Sequence, residues 1–204
     1  MSKLEEELPG PLAGDVAASI EAKLGSDLHA LASAIAGCRF CPRGGKGIPG
    51  CGEAGALLFF LAGMPGPGAE RGDPWGGWRP LLQHKAAEMG WDLAGAYYST
   101  ALRCRLPKVT RWDLRRCAHF LAEELIMVGP RLVVVSGKVA AVALREALGD
   151  VIPENPMAGD TCSLYAMRFL FELDIARVVH EEKAAAVFWN ILGGAEDLYG
   201  ERQG

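Results

Sequence analysis

The chain has 204 residues, of which 50% are hydrophobic, a formal net charge of −4 at pH 7 and a sequence pI of about 5.6. This length and apolar content suffice for one hydrophobic core with a small appendage, and no apolar run reaches the roughly 18 residues that span a bilayer. The acidic balance excludes a protein coated in basic surface, although it permits a single basic face. The N-terminal sequence MSKLEEELPG does not resemble a signal peptide, and we expect a monomeric cytoplasmic protein without a membrane contact.

Two short helices are predicted at the beginning of the chain. The first carries apolar residues at every fourth position as far as Leu24, and Ser26 or Asp27 can cap the second. We therefore predict a peripheral helical extension over residues 1–25 and a folded domain over residues 26–200.

Strands alternate with helices in the rest of the chain. Apolar runs predict strands at about 56–62, 96–102 and 131–137, and a hairpin at about 165–173 and 175–179. Helical periodicity predicts helices at about 79–89, 110–128, 138–148 and 183–192. Alternation of this kind is typical of an α/β fold with a mostly parallel sheet and helices on both faces.

A glycine-rich loop, LAGMPGPGAERGDPWGG at residues 61–77, directly follows the first strand. Its six glycines and three prolines predict a backbone that approaches another group closely. Ligands of parallel sheets bind beyond the carboxyl ends of the strands, so the loop is placed for binding. It contains no His, Cys or Ser, and its only acids are Glu70 and Asp73.

The cysteines indicate either a metal centre or reduced core thiols. Cys38 and Cys41 are two residues apart, a spacing shared by zinc half-sites, redox motifs and coincidence. The remaining cysteines are Cys51, Cys104, Cys117 and Cys162. Twelve residues separate Cys104 from Cys117, which suits a four-thiolate iron–sulfur cluster bound from distant segments, and buried reduced thiols are the alternative.

A basic segment surrounds these two cysteines. Its six cations are Arg103, Arg105, Lys108, Arg111, Arg115 and Arg116. They crowd the start of a predicted helix, where positive charge is least favoured unless a phosphate backbone compensates for it. We therefore predict DNA binding here, with Trp112 available to stack on a base; a solvated helix end with a core tryptophan is the alternative.

Six segments follow one another in a recognisable order. They are CRFCP, GIPGCGEAGALLFFLAGMPG, GDPWGG, YYSTALRCRLP, the later Cys117 and RLVVVSGKVAA. Together they resemble the iron–sulfur (family 4-type) uracil-DNA glycosylases over about residues 35–193. The resemblance implies a three-layer α/β/α sandwich around a central, mostly parallel sheet of four to five strands. It also implies a [4Fe–4S] cluster held by four ligands, Cys38, Cys41, Cys104 and Cys117.

The resemblance further implies an enzyme that flips a base out of DNA and cleaves its glycosidic bond. The family's catalytic acid falls on Gly63 and its catalytic histidine on His180. The base-binding positions that it implies are Met64, Pro65, Gly66, Trp75 and Thr100, with Trp75 as the stacking aromatic. Thr100 stands where the family has an asparagine, and a hydroxyl cannot replace both the donor and the acceptor of an amide. The family's leucine-bearing wedge after the histidine is absent.

Three functions agree with these residues. The first is N-glycosidic hydrolysis of uracil or another damaged base in single- or double-stranded DNA by a divergent iron–sulfur uracil-DNA glycosylase. The second is a non-catalytic iron–sulfur module of the same fold that binds nucleic acid or a nucleotide. The third is an enzyme that acts on a free nucleotide or nucleobase, which would suit the acidic pI and the missing wedge.

Overall fold

The five strands form one sheet. The computed structural model describes residues 10–41, 45–70 and 72–195, with side chains from residue 23 onward. The strands are β1 (Leu58–Ala62), β2 (Tyr97–Thr100), β3 (Leu132–Ser136), β4 (Thr161–Leu164) and β5 (Met167–Glu172). Their order in the sheet is β2-β1-β3-β5-β4, and only the β4–β5 pair is antiparallel. The prediction of a mostly parallel sheet is confirmed.

Helices cover both faces of this sheet. They are α1 (Gly10–Ala36), α2 (Trp78–Glu88), α3 (Arg111–Val128), α4 (Gly137–Leu148), α5 (Ile175–Val178) and α6 (Glu182–Gly194), with a 3-10 turn at Gly149–Val151. Alternate residues of β1 point to opposite faces. Phe59 packs in the core under α1, α3 and α4, whereas Phe60 packs in the core under α2, α5 and α6. The three-layer α/β/α sandwich is therefore confirmed.

Two predicted elements were wrong. The chain forms one continuous helix α1 through residues 24–27 rather than two helices, and a Lys23–Asp27 ion pair of 2.5 Å spans the predicted break. The hairpin consists of β4 and β5, so it lies one strand earlier than predicted, and residues 175–178 are helical. The division into an extension and a domain at residue 25 stays a prediction.

One row of residues crosses the carboxyl ends of the parallel strands. Thr100 pairs with Ala62, Ala62 with Ser136, and Ser136 with Glu172. The chain passes from β1 to one side for β2 and to the other side for β3, which places a crevice between β1 and β3 in folds of this type. Within the described residues, no helix combines the length and apolarity that crossing a membrane requires.

Candidate nucleic-acid and base-binding site

The glycine-rich loop packs tightly against the fold. Gly63 lies beside α4, and a Cβ atom built on it would be 2.8 Å from the Cβ atom of Val139. A Cβ atom on Gly66, which is buried, would overlap the carbonyl oxygen of Trp75. Since not even a methyl group fits at residue 63 without movement of α4, the position at which the family places an acid has no room for one.

Trp75 lies in the core rather than on an open surface. Its side chain has no exposed area, its Nε1 donates a hydrogen bond of 2.8 Å to the carbonyl oxygen of Ser99, and its ring edges contact Phe60 and Tyr98. The structure therefore corrects the expectation that this ring is a platform open to a base. The indole is fixed at the end of the sheet because its ring packs against aromatic side chains there and its N–H is hydrogen-bonded.

The other predicted base-binding residues are also packed. Thr100 is fully buried, and its hydroxyl donates a hydrogen bond of 2.8 Å to the carbonyl oxygen of Leu102. Pro65 is buried, and Met64 is half-buried against the core. The structure thus brings the predicted residues together at the ends of β1 and β2, with their polar groups already used inside the protein.

The sequence interpretation requires His180 to lie at the end of a strand, and the structure contradicts this. It is an exposed residue after α5, in a groove of about 350 Å³ between α2 and α6 that also contains His84 and Trp189. No described residue of the 61–77 loop lines this groove. The error follows from the displaced hairpin, because β5 ends eight residues earlier, at Glu172.

Glu172 is a candidate site residue that sequence reasoning missed. It is only 5% exposed, and its Oε2 accepts a hydrogen bond of 3.3 Å from the backbone N–H of Leu173. Its Oε1 is buried and has no hydrogen-bond partner among the described residues. Burial raises the pKa of this carboxyl from 4.5 to about 8. The available signal was an acid directly after the apolar run FLF in a predicted strand.

The structure brings four of the cysteines together from three segments. Cys38 and Cys41 follow α1, Cys104 follows β2, and Cys117 lies in α3; all four are half-buried. Burial raises the pKa of Cys104, and the other three thiols raise it further. Among the described residues, no three His, Cys, Asp or Glu side chains are arranged to hold a metal ion. The four thiols therefore lie in one region of the fold but not at the distances of ligands to a single ion.

The two other cysteines stand apart from this cluster. Burial raises the pKa of Cys51 to about 11, while Arg79 opposes the shift and donates a hydrogen bond of 3.4 Å to its sulfur. Cys162 lies in β4, and burial alone raises its pKa. None of the four clustered thiols contributes to the raised pKa of either residue.

Arg103 is not available to DNA, and its assignment to the basic surface is corrected. The side chain is 1% exposed and forms an ion pair of 2.9 Å with Glu124 of α3. It also donates a hydrogen bond of 2.7 Å to the hydroxyl of Ser99. Glu124, which sequence reasoning also missed, accepts further bonds from the Tyr97 hydroxyl at 2.9 Å and the Gly50 backbone N–H at 3.2 Å. Arg103 therefore neutralises a buried carboxylate.

The remaining cations of the basic segment lie at the surface. Arg105 and Lys108 are exposed, and no described residue forms an ion pair with either. Arg111 and Arg115 both bind Glu146 of α4, which neutralises part of their charge. A second surface feature is aromatic: the Trp112 ring is 48% exposed, and the guanidinium of Arg116 lies 3.4 Å from its centroid. The surface thus combines free cations with a half-exposed indole.

Comparison with known proteins places these features in a family. The family model of the uracil DNA glycosylase superfamily matches residues 49–189, which include all five strands of the sheet and the glycine-rich loop. The chain belongs to the uracil DNA glycosylase superfamily. The resemblance of the motifs and the observed sheet therefore lead to the same family.

Two curated relatives of this superfamily member are type-4 uracil-DNA glycosylases. The protein from Archaeoglobus fulgidus is 28% identical over 99 residues, which are 46% of this chain and 50% of the relative. The protein from Pyrobaculum aerophilum is 26% identical over 131 residues, which are 60% of this chain and 67% of the relative. The matched region thus spans half of the first relative's length and two thirds of the second's.

Proposed function

We propose that this protein is an iron–sulfur DNA glycosylase that hydrolyses the N-glycosidic bond of uracil or another damaged base. In this reaction a water oxygen bonds to the sugar C1′, the C1′–N bond breaks, and the base leaves with the bonding electrons and then takes up a proton. The observation that carries the proposal is the family match over residues 49–189. The names of both relatives give the same activity for those proteins.

The clustered thiols support a [4Fe–4S] centre with Cys38, Cys41, Cys104 and Cys117 as ligands. Four soft sulfur donors from three segments suit an iron–sulfur cluster, and the nearby thiols add to the raised pKa of both Cys104 and Cys117. When bound, the cluster would supply a rigid cross-link between the end of α1, the basic segment and α3. The chain itself would hold Arg105 and Lys108 in place for DNA.

The exposed surface around Trp112 supports DNA as the partner. Arg105 and Lys108 can neutralise phosphates without breaking an internal ion pair, whereas Arg111 and Arg115 would first have to leave Glu146. The half-exposed indole of Trp112 adds a face on which a base of single-stranded DNA can stack.

A second candidate function is binding without cleavage, and the 61–77 loop favours it. Gly63 leaves no space for the family's acid, the Thr100 hydroxyl is bonded internally, and His180 lies in a groove away from the loop. If the chain excises a base, it therefore uses a group that the family motifs do not supply.

Base release from oligonucleotides tests the proposal. Protein purified without oxygen is incubated with single- and double-stranded oligonucleotides that carry one uracil, and free base is measured together with strand binding. We expect uracil release with the intact cluster-bearing protein. Tight binding without release would contradict the hydrolase and support the binding module.

Four cysteine variants test the cluster separately. Cys104→Ala and Cys117→Ala should lose the visible absorption and the iron, whereas Cys51→Ala and Cys162→Ala, which are matched free thiols, should retain both. Iron retained in Cys117→Ala, or its loss in all four variants, would contradict the assignment of the ligands.

A further inference from the structure

A cavity of about 210 Å³ lies at the carboxyl ends of β3 and β5. Val135, Ala141 and Phe171 supply apolar wall, and Lys138, Asn155 and Glu172 supply polar groups. Within the described part of the chain, no residue of the 61–77 loop and none of the six predicted cations lines it. Because an apolar cavity of about 150 Å³ already admits benzene, one six-membered ring fits in this space.

Glu172 is the unusual group in the wall of this cavity. It is more than nine-tenths buried, and its Oε1 is one of two buried side-chain polar atoms without a hydrogen-bond partner among the described residues. A buried oxygen without a hydrogen-bond partner destabilises a fold by roughly 1–3 kcal/mol. A ligand that forms a hydrogen bond with this oxygen would remove that destabilisation, which would favour its binding. The remaining oxygen, Oε2, accepts one long bond, from the backbone N–H of Leu173, and no other from the residues that the structure describes.

The protonation of Glu172 determines what kind of ligand suits it. Burial holds its pKa at about 8, so the carboxyl is mostly neutral at pH 7. The charged groups nearby are Lys138 and Glu154 in the same cavity wall and Asp174 two residues along the chain. A neutral carboxyl donates one hydrogen bond and accepts another side by side, whereas a carboxylate only accepts.

We propose that this cavity binds an uncharged six-membered heterocycle whose edge carries an N–H next to a carbonyl or ring nitrogen, with Glu172 as its hydrogen-bond partner. The apolar wall at Val135 and Phe171 packs on the ring, and the carboxyl forms two hydrogen bonds with its polar edge. Pyrimidine bases and other cyclic amides present such an edge. Binding of a heterocycle in this cavity does not require cleavage of DNA, so it can be tested independently of the proposed hydrolase activity.

Equilibrium binding of free uracil to the full chain tests the proposal. We expect uracil to bind at pH 7 and 1,3-dimethyluracil, which has the same ring without an N–H, to bind at least tenfold more weakly. Deprotonation of Glu172 should weaken uracil binding by about tenfold between pH 7 and pH 9. Competition by a uracil-containing oligonucleotide, but not by the same strand with an abasic site in place of the uracil, would show that the base is received on a strand rather than free.

Variants of Glu172 separate its role from general effects on the fold. Glu172→Leu should abolish uracil binding while keeping the buried volume, and Glu172→Gln should retain binding but lose its pH dependence, because an amide also donates and accepts. The matched control is Glu123→Gln on the exposed side of α3, which should behave as the wild type. Unchanged binding in Glu172→Leu, or the same pH dependence in Glu172→Gln, would overturn the proposal.

Discussion

The strand-end row, which consists of Thr100, Ala62, Ser136 and Glu172, has two halves that differ in packing. We call the ends of β1 and β2 the packed half and the ends of β3 and β5 the open half. At the ends of β1 and β2, Trp75 and Thr100 are fully buried, and each donates its polar hydrogen to a backbone carbonyl. At the ends of β3 and β5, a cavity remains, and Glu172 keeps one buried oxygen without a hydrogen-bond partner from the described parts of the chain. The positions that match the family's motif residues are therefore packed in this chain, while the Glu172 oxygen, which has no partner among the described residues, lies two strands away from β1.

The largest expected effect is the loss of Trp75 from the packed half. Trp75→Ala removes a fully buried indole and its hydrogen bond, and should lower the free energy of unfolding by about 3–5 kcal/mol. Chemical denaturation measures it. The control is Trp112→Ala, which removes a half-exposed indole and should cost far less. Equal costs would contradict the difference in packing.

Loss of Arg103 should be nearly as damaging, because it leaves Glu124 charged and buried. Arg103→Ala should destabilise the fold by about 3–5 kcal/mol, whereas Arg105→Ala on the exposed surface should change stability by less than about 0.5 kcal/mol. Thermal and urea unfolding of the two variants measure the difference. Equal stability would mean that Arg103 is not the structural cation that its contacts indicate.

Restoring the family's acid tests whether the packed half can be reopened. Gly63→Asp forces new atoms against Val139 and should destabilise the protein by about 1–3 kcal/mol. Gly77→Asp provides the control, since a Cβ atom there comes no closer than 3.6 Å to any described residue other than its chain neighbours. A Gly63→Asp variant that is as stable as the wild type and releases more uracil would show that the loop accommodates a catalytic carboxylate after all.

In the open half, Glu172 should make the free energy of unfolding depend on pH. The folded-state pKa of Glu172 is raised from 4.5 to about 8, so its contribution is most favourable below pH 4.5 and becomes less favourable as the pH rises toward 8. The loss amounts to at most about 1.4 kcal/mol per pH unit in that window. Glu172→Gln should flatten the decline, and an unchanged slope between the two proteins would contradict the raised pKa.

The smallest effect is expected at the basic surface, which lies outside the strand-end row. The logarithm of the DNA association constant falls linearly with the logarithm of the salt concentration. Removing the side chains of Arg105 and Lys108 together should make this negative slope less steep by about 2. Lys23→Ala, at an exposed ion pair of α1, should leave it unchanged. Equal slopes in all three proteins would exclude this surface as the DNA contact.

The sequence allowed prediction of the parallel sheet because its strands are short apolar runs separated by amphipathic helices. It misplaced the hairpin because β4 is a half-exposed edge strand with the polar sequence TCSL, whereas the β-branched run around Ile175 and Val178 is typical of a strand but forms a short helix. That shift is why His180 was expected at a strand end. Arg103 was misassigned because its partner, Glu124, lies 21 residues away on a helix that only the fold brings close.

Carboxyl carbon NMR of the protein labelled in glutamate tests the contrast between the two halves most directly. A resonance that is absent from Glu172→Gln should titrate with a midpoint near pH 8 and should shift when uracil, but not 1,3-dimethyluracil, is added. A midpoint near pH 4.5 with no response to either compound would show that Glu172 is an ordinary solvated carboxylate, and the distinction between a packed and an open half would fail.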